Sequence, residues 1–368
     1  MKKAICLAAA AALILGSCGL EEIKETFSEK VDEKLEQHAV ETTEYEPEQV
    51  KEMVYDTLRS GRRVLKFDSV VDTDVIQQVV YSARYDCPEV FWTGGFVVDT
   101  DFTSTTLRCD SVHDLDETQL AEMGAELDAA AESIAAEVNS GASDYDRLLA
   151  LHDKLIEICD YDYGAYSTSD PEEIGFAGSA YGCLIEHEAV CEGYAQAFSL
   201  VSRKMGFDSG MVCGTAGGDK HAWNYVKADG QYYWLDVTWD ENSTETETEF
   251  APMHKYFLLN DELFMGTRTV DDDVPFIPQC SSMEDNFYVH SGYYLDSYDL
   301  GTIDSLMSAA ADVGGLDLMF ADRASYDTAI DDLMEQGSIW NTQVMLGGAE
   351  PQPYFADPDL LTLTMSWR

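Results

Sequence analysis

The stretch His221-Ala222-Trp223-Asn224-Tyr225-Val226-Lys227-Ala228-Asp229-Gly230-Gln231-Tyr232-Tyr233-Trp234-Leu235-Asp236-Val237-Thr238 decides how this chain folds. Asp229-Gly230 is a two-residue turn of the kind that joins antiparallel strands. Aromatic and β-branched residues flank it on both sides, as strands require. The spacing predicts strands over 221–228 and 231–238, with Ala228 opposite Gln231, Trp223 opposite Asp236 and His221 opposite Thr238. Side chains alternate between faces along a strand. His221, Trp223, Trp234, Asp236 and Thr238 therefore share one face, and Ala222, Val226, Tyr233, Leu235 and Val237 form an apolar one. His221 and Asp236 become diagonal neighbours, roughly 7–8 Å apart before their side chains extend. A carboxylate–imidazole hydrogen bond can close that gap. The expectation is an oriented base on the face turned away from the apolar packing.

Upstream, Cys191 opens an amphipathic helix. Tyr194, Phe198, Val201 and Met205 recur at helical spacing, and Gly206 falls where a C-cap belongs. The positive end of a helix favours a thiolate. Cys191, His221 and Asp236 thus supply nucleophile, base and orienter. A competing reading places zinc on Cys183, His187 and Cys191, spaced four apart, with Cys213 or His221. Gly182 and a turn near Glu188 put the helix start at Cys191 and count against it, so neither a metal nor a cofactor is expected.

Between these motifs and the N-terminus, two more helices are predicted. One runs over Glu117–Asn139 with Leu120, Met123, Leu127, Ile134 and Val138 on one side. Ser143 caps the next, which continues through Cys159 with Leu148, His152 and Leu155 on its inner face. His152 reads as a core histidine.

Three segments, Ala189-Val190-Cys191-Glu192-Gly193-Tyr194-Ala195, His221-Ala222-Trp223-Asn224 and Leu235-Asp236-Val237-Thr238-Trp239-Asp240, resemble in order the signatures of the transglutaminase-like superfamily. Leu151-His152-Asp153 and Tyr256-Phe257-Leu258-Leu259 resemble its flanks. The resemblance covers roughly residues 144–262. It implies an α+β fold with a papain-like core, in which a Cys-bearing helix packs on an antiparallel sheet. It also maps Cys191 to the nucleophile, His221 to the base and Asp236 to the third member of a triad. Tyr194 and Trp223 match positions that shape such a site. For the oxyanion the candidates are the Cys191 backbone N–H and the Tyr181 side chain. The implied reaction attacks an amide through a thioester; hydrolysis is favoured over transamidation. The implied substrates are peptides or proteins, cell-wall peptides among them. The alternative is a non-catalytic surface lipoprotein that uses the domain for binding.

Composition bounds the rest. The chain has 368 residues, 22 Lys plus Arg against 70 Asp plus Glu, and a net charge of −48. Nucleic acid as a partner is excluded on this charge, because phosphate binding needs clustered cations. Hydrophobic residues make up 45%, enough for a packed core. Lys2, Lys3 and an apolar run from Ala4 to Gly16 read as a signal peptide, and Leu15-Gly16-Ser17-Cys18 resembles a lipobox. The expectation is export, lipidation at Cys18 and attachment to the bacterial membrane at the cell surface. The predicted layout is a signal peptide over 1–17, a stalk over 18–47, a small α+β region over 48–115, the catalytic domain over 116–284 and an appended α/β module over 285–368. Within 48–115, Val64–Val71, Val90–Val98 and Thr103–Cys109 read as strands and Thr93-Gly94-Gly95 as a turn. Cys87 with Cys109 is the favoured disulfide pair. Trp92, Tyr293 and Tyr294 are candidates for exposed aromatic contacts.

Overall fold

The computed structural model describes residues 44–168, 170–241 and 254–368. The expected signal peptide, Cys18 and nearly all of the stalk lie outside these residues, as does most of the acidic loop after Glu241. Among the described residues no helix is long and apolar enough to cross a membrane.

The first region holds α1 (Pro47–Arg59), β1 (Val64–Phe67), α2 (Thr73–Asp86), β2 (Thr93–Thr100) and β3 (Thr105–Ser111), with an antiparallel sheet ordered β1-β3-β2. Sequence reading missed α2. Its inner face is built from Val75, Ile76, Val79 and Val80, residues that favour strands by propensity. The Asp72 side chain, accepting from the Asp74 N–H, caps it as a helix. Thr93-Gly94-Gly95 is not a turn: it lies in β2, where the register shifts between Thr93 and Gly95. Cys87 and Cys109 are free, buried thiols rather than a disulfide. Trp92 is also buried, its indole N–H donating to Leu58 O at 3.1 Å.

In the central region, α3 (Glu117–Val138) and α4 (Asp144–Ile158) both start on capping boxes, Asp116 with Gln119 and Ser143 with Asp146. Two-residue strands β4 (Asp160–Tyr161) and β5 (Glu188–Ala189) pair in parallel just before α5 (Cys191–Lys204). Beyond it, β6 (Ser209–Ala216), β7 (Asp219–Ala228), β8 (Gln231–Leu235) and β9 (Arg268–Val270) form an antiparallel sheet in the order β8-β7-β6-β9. Asn224 ties α5 to this sheet. Its amide donates to Ala195 O, Ser199 Oγ and Gly210 O at 2.8, 2.9 and 3.2 Å. Gly193 lets the first turn of α5 sit close to the preceding segment, since a Cβ there would lie 2.4 Å from Ala177 O.

The C-terminal region builds its own sheet, ordered β10-β11-β13-β12, from β10 (Tyr294–Leu295), β11 (Gly315–Phe320), β12 (Phe355–Asp357) and β13 (Thr362–Ser366). Helices α7 (Leu300–Ala309) and α8 (Arg323–Ala329) pack on it around Ile303, Met307, Leu318 and Leu363, and the short α6 (Val237–Asp240) precedes both in the chain. Tyr293 and Tyr294 are half-buried against this region rather than displayed to solvent.

Candidate active site

The hairpin forms as its turn demands, with Ala228 opposite Gln231 and Asn224 opposite Leu235. The ladder stops there. Val237–Asp240 is a short helix, α6, not the end of a strand, and the Asp236 side chain caps it by accepting from the Trp239 N–H at 3.2 Å. The expected pairing of His221 with Thr238 is therefore absent. The departure brings Asp236 to its partner directly: His221 Nε2 lies 2.8 Å from Asp236 Oδ2. Nor does this face turn away from apolar packing. Trp223 and Trp234 are buried on it against Leu259, Phe264, Cys280 and Met319. The pair sits at the edge of a second core, which removes competing water from its hydrogen bond.

Cys191 is the first residue of α5, where the helix leaves its N–H groups unpaired by its own pattern. Its thiol is within hydrogen-bonding reach of the His221 ring. Nε2 is held by Asp236, so Nδ1 is the nitrogen left for the thiol. Six of the seven described cysteines are buried; Cys191 is partly exposed. Burial pushes five of these thiols up, Cys109 to about 11, Cys87 and Cys213 to about 12, and Cys183 and Cys280 further.

Burial pulls the His221 imidazolium down, but the Asp236 carboxylate and the hydrogen bonds to Asp236 and Cys191 outweigh it and raise the ring to about 9. Burial pushes Asp236 up, and His221 and Arg268 together hold it below the usual carboxylate range. Arg268, at the start of β9, is the residue sequence reading missed. Its Nη2 lies 2.9 Å from Asp236 Oδ2 with both side chains fully buried. The guanidinium stacks on Phe264, Trp239 and Tyr256, at 3.9, 4.2 and 4.8 Å from the ring centres. No motif surrounds this arginine in the sequence.

The other expected site residues divide. Tyr194 is buried and donates to Cys159 O at 2.5 Å, and Trp223 is buried behind His221, so both support the site from within the core. Tyr181 does not serve as expected. Its hydroxyl donates to Glu126 at 3.0 Å and its ring stacks on Phe91, committing it elsewhere. The Cys191 backbone N–H remains as oxyanion candidate.

His152 is a core histidine, fully buried in α4, with Nε2 at 3.1 Å from Asp240 and Nδ1 at 3.0 Å from Asp153. Asp153 also meets His254 Nε2 at 2.7 Å. Burial lowers the His152 ring, and bonds to these two carboxylates raise it to about 9. Asp240 belongs to α6, so this chain of bonds anchors the helix that Asp236 caps. His152, Asp153 and His254 are also close enough to form a ligand set; Cys183, His187 and Cys191 do not gather among the described residues.

Two cavities open here, one bordering His221 and one bordering Glu192 in the first turn of α5. One, of about 270 Å³, is lined by His221, Trp239, Tyr161, Tyr163 and Tyr166. The other, of about 580 Å³, lies between the first region and α5, lined by Tyr81, Arg84, Phe96, Glu192 and Gln196. Arg84 grips Glu192 with two bonds of 2.5 Å, fixing α2 to the first turn of α5. The cluster Tyr161, Tyr163 and Tyr166 was legible as three tyrosines just after α4, but nothing in the sequence alone placed it beside His221.

Residues 132–238 match the model of the transglutaminase-like superfamily. No curated protein matches the chain. Among solved structures, a TGase aligns over 53% of this chain and 55% of its own, at 14% identity and a TM-score of 0.33. A candidate cysteine protease from Cytophaga hutchinsonii aligns over 38% and 55%, at 18% identity and a TM-score of 0.25. A candidate protease from Parabacteroides distasonis aligns over 42% and 40%, at 11% identity and a TM-score of 0.23. The chain thus spans about half the length of these neighbours or less.

Proposed function

We propose, with the transglutaminase-like domain at residues 132–238 as premise, that the protein is a thiol enzyme acting on amide bonds of peptides or proteins, with hydrolysis as its main outcome. One observation carries this reading: the only partly exposed thiol among the described cysteines meets an imidazole that a buried carboxylate holds.

The Cys191 thiolate attacks the amide carbonyl carbon, forming a C–S bond and an oxyanion that faces the N-terminus of α5. The His221 imidazolium gives its proton to the amine nitrogen, the C–N bond breaks, and a thioester remains. Neutral His221 then takes a proton from water. The hydroxide oxygen bonds to the acyl carbon, the C–S bond breaks, and thiolate and imidazolium are restored with release of a carboxylic acid. Asp236 keeps the ring oriented through both steps. Among the described residues, Tyr163 and Tyr166, 53% and 51% exposed, leave the His221 side of the site open, which supports water as acceptor.

The test is turnover of a mixed peptide pool, read as new amino and carboxyl termini by mass spectrometry. The wild type generates them and Cys191→Ala, folded by circular dichroism, does not. Turnover by the variant overturns the reading. A wild type without turnover, and with Cys191 no more reactive than a buried thiol, returns the chain to a binding role. We also propose export and lipid anchoring at Cys18. Cys18→Ala then shifts the protein from the membrane fraction to the soluble one; no shift overturns the anchor.

A further inference from the structure

We infer that His152, Asp153 and His254 form a binding site for a divalent transition cation of the zinc class, separate from the Cys191–His221 pair. The binding does not depend on the proposed thiol chemistry.

Three donor atoms converge here. His152 Nδ1 lies 3.0 Å, and His254 Nε2 2.7 Å, from Oδ1 of Asp153. Each is already aimed. The Tyr256 N–H donates to both oxygens of Asp240 at 3.1 Å, so this buried carboxylate is an acceptor and His152 Nε2 donates to it. The neutral His152 ring then turns the lone pair of Nδ1 toward Asp153. Metal-bound histidines are held in this way, with the second ring nitrogen donating to a carboxylate that fixes tautomer and direction. The His254 ring stacks on Phe287 at 4.2 Å, which fixes its direction as well.

Either a proton or a metal ion must lie between that lone pair and Asp153 Oδ1. Among the described residues, Asp153 and Asp240 form ion pairs with histidines alone. The cluster thus holds two carboxylate charges without a lysine or arginine bound to either, and one divalent ion balances both. Two imidazoles and a carboxylate select zinc or a neighbouring transition ion over calcium and magnesium, which take oxygen ligands. Bonds of about 2.0–2.2 Å in a tetrahedron set ligand atoms roughly 3.4 Å apart, so the three atoms part by about half an ångström on binding. Asp153 is only partly buried and has room for this. It lines a cavity of about 510 Å³ together with Glu137, Asp146 and Glu157, while Lys154 in the same wall is bound to Glu137 and Glu157. That acidic opening gives the ion an entry path and leaves the fourth coordination position to water. Without the ion, the same atoms make the hydrogen bonds described above. With it, α4 and the segment at His254 are tied by coordinate bonds, and Asp240 carries the link into α6, the helix that Asp236 caps.

The test is calorimetric titration of the full chain carrying Cys191→Ala, so that the thiol beside His221 takes up no metal. Zinc chloride is the titrant, and excess magnesium chloride occupies the exposed carboxylates of a chain with a net charge of −48. One zinc binds per chain, and saturating zinc raises Tm by about 3–8 °C. His254→Gln and Asp153→Asn each weaken that binding at least about tenfold and remove the rise in Tm. Absence of stoichiometric binding overturns the site. So does zinc binding of equal affinity in the variants, which places the ion elsewhere on the acidic surface. If His254→Gln is unfolded by circular dichroism, Asp153→Asn, an isosteric change at a partly exposed residue, decides alone. Cobalt(II) in place of zinc supplies an independent reading: its visible bands are those of a nitrogen–oxygen site and are lost in Asp153→Asn. An intense thiolate-to-cobalt band instead assigns the ion to a cysteine and overturns the proposal.

Discussion

Arg268 and His221 meet on one atom: Nη2 of the first lies 2.9 Å, and Nε2 of the second 2.8 Å, from Oδ2 of Asp236. The carboxylate is a buried negative charge between two cations. Its hold on the imidazole is therefore set by a residue far downstream in the chain. Arg268→Met leaves Asp236 with His221 as its one charged partner, beside the Trp239 N–H, and removes the ion from its aromatic box. The expected loss is about 3–5 kcal/mol of stability, the range for breaking a buried pair, read as a lower urea midpoint. Because the remaining carboxylate charge is less compensated, His221 keeps its proton to higher pH, and the alkaline limb of kcat/KM moves up. A limb that stays in place assigns Arg268 no part in setting the imidazole, and one that moves down overturns the predicted direction.

Asp236→Asn works in the opposite direction. It removes the charge that raises His221 and leaves the burial that lowers it. The imidazolium then loses its proton from about 9 down to, or below, its ordinary 6.5. The pH–rate profile reads this directly: activity of the wild type falls only as pH passes about 9, and activity of the variant falls near neutrality and from a plateau about 10³–10⁴-fold lower. An unchanged profile counts against the triad.

Stability has its own pH dependence. The folded rings of His221 and His152 both titrate at about 9, above the ordinary 6.5 of an unfolded histidine. A folded value above the unfolded one stabilises fully below 6.5 and is lost as pH rises through the folded value. Unfolding free energies from urea titrations should therefore decline between pH 6.5 and about 9. His152→Gln should flatten part of that decline while lowering stability at pH 6. A curve with no decline in that window denies both rings their charged state.

Gly193→Ala tests the seating of α5. The added Cβ would meet Ala177 O at 2.4 Å and Ala189 Cβ at 2.9 Å, so the first turn must move. The expected cost is about 1–3 kcal/mol, typical of overpacking. A displacement of Cys191 from His221 should lower kcat about 10²-fold without a matching change in KM. An unaffected kcat shows that the first turn has room to adapt.

What the sequence revealed, and what it hid, follows from the range of the interactions. Asp229-Gly230 sets the hairpin register by itself, and Ser143, Gly206 and the spacing from Tyr194 to Met205 mark helix ends within a few residues. These are local signals. The Asp72 cap of α2 is local too, but the helix it opens carries Val75, Ile76, Val79 and Val80, whose strand propensity masks it. Arg268 is invisible for a different reason: its meaning lies in a pairing with Asp236, thirty-two positions away. Tyr181 is the converse. It stands near Cys191 in sequence, yet its partner is Glu126 on α3. Cys87 and Cys109 share one small region, but each side chain is buried as a free thiol. The hairpin predicted where Asp236 would be, and α6, which it caps, decided how it reached His221.

The face of the hairpin that bears Trp223 and Trp234 is covered by Leu259, Phe264, Tyr288, Met319 and Leu360, all of them downstream. Order of synthesis then matters. When the nucleophile helix and the hairpin have been made, the wall behind His221 has not, and neither has the arginine that steadies its carboxylate. The thiol of a half-made chain therefore waits beside an unsupported base. Trp223 and Trp234 reach their final surroundings only when the chain has been made as far as Leu360.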